Sequence, residues 1–153
     1  MPIYWTNDLD TGIEVIDNQH RRLVEYINQL EAAKRSNDIH IVRQVVDDCV
    51  DYTISHFAFE ESLQEEAGYP YCKPHKRVHD LFTKRVESYQ ERLILGDNVA
   101  DELHDLLGRW LITHIKRDDA DYVQSVKANM IGAASKREAQ EGSGWLRRFF
   151  RRS

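Results

Sequence analysis

The chain has 153 residues, 41% of them apolar and 31% charged, which fits one soluble globular domain with a substantial core. No run of about 18 apolar residues occurs, which excludes a membrane-spanning helix. The net charge of −5 conceals an acidic body: residues 142–153 hold four of the 21 basic residues and no acid, which leaves 17 basic against 26 acidic side chains over residues 1–141. That balance argues against nucleic-acid binding by the body.

The N-terminal stretch Met1-Pro2-Ile3-Tyr4-Trp5-Thr6-Asn7-Asp8 lacks a basic start followed by an apolar run. It predicts a non-helical arm, no export signal and a cytoplasmic protein. Thr11-Gly12-Ile13-Glu14 reads as a capping box that opens the first helix. Its stripe, at steps of three and four, is Ile13, Ile16, His20, Leu23, Ile27 and Leu30, with His20 standing where the pattern calls for an apolar residue. Ser36-Asn37-Asp38 then breaks the pattern and suits an N-cap.

The second stripe is Val42, Val46, Cys49, Thr53, His56, Glu60 and Leu63. Cys49 reads as a small core residue. Gly68, Pro70 and Pro74 mark a loop, in which Cys72 reads as an exposed thiol. The two cysteines match no zinc or redox spacing. The third stripe begins with ligand-type residues: His75, His79, Phe82, Val86, Tyr89 and Leu93. Gly96-Asp97 reads as a helix stop followed by a new cap.

The fourth stripe is Leu103, Leu107, Trp110 and His114; it slips by one residue and resumes at Asp119, Tyr122 and Val126. A five-residue step rotates about 140° on a regular helix, so one extra residue in a turn, a π-bulge, restores the phase. This phase selects Asp119 over its neighbours Asp118 and Asp121.

Residues four apart lie on one helical face. His56 with Glu60, and His75 with His79, therefore each aim two donors at one point. Imidazole nitrogen and carboxylate oxygen suit a borderline first-row metal such as iron. With His20, His114 and Asp119 the donors exceed what one ion takes, and they predict two. His40 and His104 have no partner at helical spacing and read as structural or solvent-facing. Four long amphipathic helices with short connections imply an all-α, up-down-up-down bundle. In that topology the early donors of the third helix meet the late donors of the second and fourth; His20 fits this level less cleanly.

The order His20…His56-x-x-x-Glu60…His75-x-x-x-His79…His114-x-x-x-x-Asp119 resembles the hemerythrin family, in its bacterial single-domain form. The flanks agree: Trp5, Gly12-Ile13-Glu14, Ile16-Asp17-Asn18-Gln19-His20, His56-Phe57, Glu60-Glu61 and Tyr69-Pro70. The likeness spans roughly residues 5–130, and departs at Gln64, where relatives often carry Met. It implies a hemerythrin-like di-iron domain over residues 1–131 and a C-terminal extension over 132–153. It further implies that His75, His79 and His114 bind one iron, that His20 and His56 bind the other, and that Glu60 and Asp119 bridge them.

With a bridging oxo or hydroxo group, that ligand set leaves one open position, on the iron with fewer histidines. The resemblance implies reversible dioxygen binding there, for storage, buffering or delivery, and no enzymatic role. Leu111 and Ile115, beside His114, would line the oxygen pocket, or else serve as ordinary core. The alternatives are an oxygen or nitric oxide sensor, and a di-iron peroxidase or nitric oxide reductase.

The extension ends Gly142-Ser143-Gly144-Trp145-Leu146-Arg147-Arg148-Phe149-Phe150-Arg151-Arg152-Ser153. On a helical wheel, Trp145, Leu146, Phe149 and Phe150 take one half, and Arg147, Arg148, Arg151 and Arg152 the other. A basic amphipathic helix predicts docking to a membrane surface or a protein partner, with fold-back on the acidic body or disorder as alternatives.

Overall fold

The computed structural model describes residues 2–132, so the basic tail Trp145 to Arg152 lies outside the described residues. Four helices follow one another: α1 (Glu14–Arg35), α2 (Ile39–Glu66), α3 (Cys72–Ile94) and α4 (Ala100–Thr113). A π-helical turn, His114–Asp119, continues α4 into further α-helix over residues 120–132. Neighbours in sequence pack side by side and α1 closes on α4, which gives the expected up-down-up-down bundle. No strand occurs among the described residues, and none of their helices is long and apolar enough to cross a membrane.

The N-terminal arm is irregular apart from one 3₁₀ turn, Asn7–Leu9. Its start is tied to α1 through Asn28: Ile3 N–H donates to Asn28 Oδ1 at 2.7 Å, and Asn28 Nδ2 donates to Ile3 O at 2.8 Å.

The start of α1 corrects the capping-box expectation. Its N-cap position is Ile13, which offers no side-chain cap, and Glu14 points into solvent. Thr11 Oγ1 does accept from Ile13 N–H at 3.1 Å, but the other donors go to buried Asp17, which accepts from Thr11 N–H (2.8 Å), Thr11 Oγ1 (2.7 Å) and Gly12 N–H (3.1 Å). Gly12 sits at φ +82°, a conformation costly for residues with a Cβ. The other breaks follow their local chemistry. Asp38 caps α2 by accepting from His40 N–H at 3.0 Å. Gly96, at φ +93°, ends α3 with Asp97 N–H reaching back to Arg92 O at 2.9 Å. Asp97 is not the cap of α4, however; Val99 holds that position without a side-chain bond.

Two further expectations change in detail. α3 begins at Cys72, with Pro74 inside its first turn, where a missing N–H is harmless. Cys72 is half-buried rather than exposed, and its thiol donates to Tyr69 O at 2.9 Å. Cys49 is a core residue, as expected, and burial pushes its thiol up to about 11. His40 is exposed and His104 is buried, near Glu31 Oε2 at 3.5 Å.

The core has two parts. A large apolar cluster runs through all four helices, including Leu23, Ile27, Val46, Phe82, Leu103 and Leu107. A smaller one, Ile13, Ile16, Tyr69, Tyr122 and Val126, closes the far end. Between them lies a buried layer of histidines and carboxylates.

Candidate metal centre

All seven residues singled out by spacing enter that layer, and each is at most 5% exposed. α1 supplies His20, α2 His56 and Glu60, α3 His75 and His79, and the π turn His114 and Asp119. The extra residue in the π turn does what the slipped stripe required: His114 and Asp119 face inward together, with Nε2 to Oδ1 3.0 Å apart.

The carboxylates divide the histidines into two groups. Glu60 Oε1 faces His56 Nε2 at 3.3 Å and His20 Nε2 at 3.5 Å. Its other oxygen, Oε2, faces the Nε2 atoms of His79, His75 and His114 at 3.1, 3.7 and 3.8 Å. Asp119 repeats the division: Oδ2 lies 3.1 Å from His20, whereas Oδ1 lies 3.0 Å from His114 and 3.4 Å from His75. Each carboxylate therefore directs one oxygen to the pair His20 and His56 or its member, and the other to the trio His75, His79 and His114. His20, the donor that fitted the common level least well in the sequence, is fully enclosed in it.

The outer nitrogens of three rings are held. His56 Nδ1 meets Gln19 Oε1 at 2.6 Å, His79 Nδ1 meets Glu61 Oε1 at 3.2 Å, and His114 Nδ1 meets Asp118 Oδ2 at 2.9 Å. Such bonds fix ring orientation and leave Nε2 as the inward donor. Glu61 and Asp118, adjacent to ligand-type carboxylates, thus have orienting roles that helical phase alone did not assign. Tyr122 donates its hydroxyl to Glu60 Oε1 at 2.9 Å. Phe57 stacks on His79 (centroids 3.9 Å, planes 5° apart) and Trp110 on His114 (4.3 Å, 14°), which walls the trio with aromatic carbon. Leu111 and Ile115 are both buried in the large apolar cluster.

The donors fit a pair of cations. His20 Nε2, His56 Nε2, His75 Nε2, Glu60 Oε2 and both Asp119 oxygens are buried without a hydrogen-bond partner. Unpaired buried charge is strongly unfavourable unless paired or coordinated. His79 Nε2 and His114 Nε2 lie 3.0 Å apart, the spacing of two ligands at right angles about 2.1 Å from one metal. The carboxylates also act on the rings' affinity for protons. Burial opposes protonation of His20 and His75, yet Asp119 and Glu60 hold both rings up at about 9. Burial likewise opposes the charge of Asp119, whose surrounding imidazoles keep it down at about 2.

The chain matches the family described as "Hemerythrin HHE cation binding domain" over residues 11–126, which contain all seven donors. The chain belongs to the hemerythrin family. Among other proteins of this family, it is 51% identical to a bacteriohemerythrin of Stenotrophomonas maltophilia, over 98% of this chain and 96% of that one. It is 47% identical to the bacteriohemerythrin of Pseudomonas aeruginosa, with the same coverage. The alignment to both runs past residue 132, whereas that to a bacteriohemerythrin of Clostridium acetobutylicum, 31% identical, covers 78% of the chain. The bundle superposes on a wild-type hemerythrin crystal structure with a TM-score of 0.79 at 23% identity, over 82% of this chain and 98% of the other. That likeness extends the shared fold, while the hemerythrin membership rests on the sequence match.

Proposed function

We propose that this hemerythrin-family protein holds two iron ions and binds dioxygen reversibly, for storage, buffering or delivery, and that it acts as a binding protein rather than an enzyme. The observation that carries the reading is the division of both carboxylates between the two histidine groups. His75, His79 and His114 would hold one iron and His20 and His56 the other, with Glu60, Asp119 and an oxo or hydroxo group between them. The irons, when bound, supply the electrons and the open coordination position that dioxygen requires.

The protein's own residues do the rest. Gln19, Glu61 and Asp118 orient the rings, and Tyr122 steadies Glu60 at one oxygen. The five neutral imidazoles bring nitrogen donors without adding negative charge, which limits the stabilisation of highly oxidised metal and favours release over turnover. Leu111 and Ile115 would line the oxygen pocket and, with Phe57 and Trp110, keep water from the site. The basic tail, Trp145 to Arg152, is proposed from its sequence as a docking segment for a membrane surface or protein partner; a variant lacking residues 145–153 should lose that association in fractionation, and unchanged fractionation removes the idea.

The deciding experiment is anaerobic reconstitution with ferrous iron, metal analysis, and an oxygen titration followed by visible spectroscopy. Two irons per chain and an oxygen-dependent charge-transfer band that disappears on degassing are expected. Sustained oxygen or peroxide consumption with added reductant would replace the binding role with an enzymatic one.

A further inference from the structure

Gln64 lies in α2 one turn beyond Glu60, is fully buried, and has no hydrogen-bond partner for either Oε1 or Nε2 among the described residues. Native proteins rarely leave a buried amide in that condition. It occupies the inward position that the apolar stripe assigned to Leu63, which is only half-buried.

His20 has the complementary need. Its Nε2 faces Asp119 Oδ2 and Glu60 Oε1, while Nδ1, on the other side of the ring, is buried and unpartnered. When Nε2 serves a cation, Nδ1 carries a hydrogen that needs an acceptor. The rings of His56, His79 and His114 have such partners at Nδ1, and His20 does not.

The register of the helices brings the two needs together. α1 and α2 are antiparallel neighbours, with the His20 and His56 rings 4.8 Å apart and Glu60 beside His20. Moving from Glu60 to Gln64 along α2 therefore corresponds to moving from His20 back toward Ile16 along α1. Helical side chains lean toward the N-terminus of their own helix. His20 leans toward the level of Ile16, and Gln64 leans toward the level of Glu60, so the two side chains converge from opposite helices. Ile16, one turn before His20, belongs to the small apolar cluster with Ile13, Tyr69 and Val126, and the Tyr122 hydroxyl of that cluster is already committed as a hydrogen-bond donor to Glu60.

We propose that Gln64 is the outer partner of His20, its amide holding the ring nitrogen Nδ1 through one buried water so that Nε2 stays aimed at Glu60 and Asp119. The amide and His20 together give that water the two to four polar partners a buried water needs. Gln64 is a positioning residue: it acts on a metal only through His20. That consequence rests on the di-iron reading; the contact itself does not.

Two variants and two states test it. Gln64→Met keeps an unbranched chain of similar length and removes both polar atoms, whereas Gln64→Glu keeps an acceptor oxygen in place. In the metal-free chain, nitrogen-labelled imidazole spectra should show a slowly exchanging His20 Nδ1–H with cross-relaxation to a bound water. Gln64→Met should abolish both features and Gln64→Glu should restore them. In the iron-loaded chain, Gln64→Met should release one iron to a chelator about 10-fold faster and the other at the unmodified rate, again with rescue by Gln64→Glu. A His20 signal indifferent to Gln64→Met overturns the contact. A changed signal with unchanged iron release, or equal acceleration of both irons, overturns the positioning role. If the unmodified chain holds no iron pair, the di-iron reading and the positioning role fail together, and the metal-free spectra still decide the contact.

Discussion

Glu60 and Asp119 are charged groups without access to water, and the layer around them is built to satisfy them. Tyr122 supplies the only protein hydroxyl bonded to Glu60 among the described residues. Tyr122→Phe should therefore release iron to a chelator about 10-fold faster while the helical circular dichroism stays unchanged. The histidines carry a second prediction. His20 and His75, raised from 6.5 to about 9, are protonated in the metal-free fold at neutral pH. Their partners thus stabilise that fold fully below 6.5, and the contribution is lost as the pH rises through about 9. Metal requires the neutral rings, so iron uptake near pH 7 should expel protons from them as well as from the bridging water, and the release should fall as the pH rises through about 9. Calorimetry in buffers of different ionisation heat measures it. A proton release that is independent of pH over this range would contradict the assignment of these rings as ligands.

Among the helices, the opening of α1 shows how a local rule is overruled. Thr11 and Glu14 have capping-box spacing, yet Glu14 is solvated and Asp17 gathers the donors of the Thr11-Gly12 turn. The turn at Gly12, with Lys127 approaching it from the helical residues 120–132, brings those amides to Asp17 in the first turn of α1 rather than to Glu14. Asp17→Ala should cost about 2–3 kcal/mol in denaturant unfolding, because three bonds to a carboxylate are lost, whereas Glu14→Ala should stay within about 0.5 kcal/mol. The π turn was legible for the opposite reason: a phase slip between His114 and Asp119 is a property of the residue order itself. Its dual use was not legible. Only the folded turn shows that Asp118 holds the outer nitrogen of His114 while Asp119 faces the inner one.

Across the whole bundle, α1, α2, α3 and the π turn that continues α4 each contribute at least one donor to the same layer, so the proposed metals are cross-links between all of them. Ligands that bind only the native state stabilise it by mass action, by about 4 kcal/mol at a thousandfold excess over Kd. Removing the metals by chelation should therefore lower the melting temperature by about 10 °C or more, and calorimetry with and without chelator checks it. A melting temperature indifferent to chelation would mean that the donors do not join the helices. The position of the layer, between a large apolar cluster and a small one, also explains how such a polar assembly is tolerated in a core: carbon seals it on both sides.

Spacing was enough to indicate four helices, the candidate donors and the π turn, because periodicity and ligand intervals are written along a single strand of residues. His56 with Glu60 and His75 with His79 needed no partner helix to be recognised as pairs. What a linear order cannot contain is the direction of individual atoms across helices. The division of each carboxylate between two histidine groups, the hold of Tyr122 on Glu60, the burial of Gln64 in place of Leu63 and the gathering of the Thr11 turn by Asp17 arise only when helices pack at fixed rotation and height. Packing, which sets the rotation and height of each helix as carbon is buried, decided those contacts.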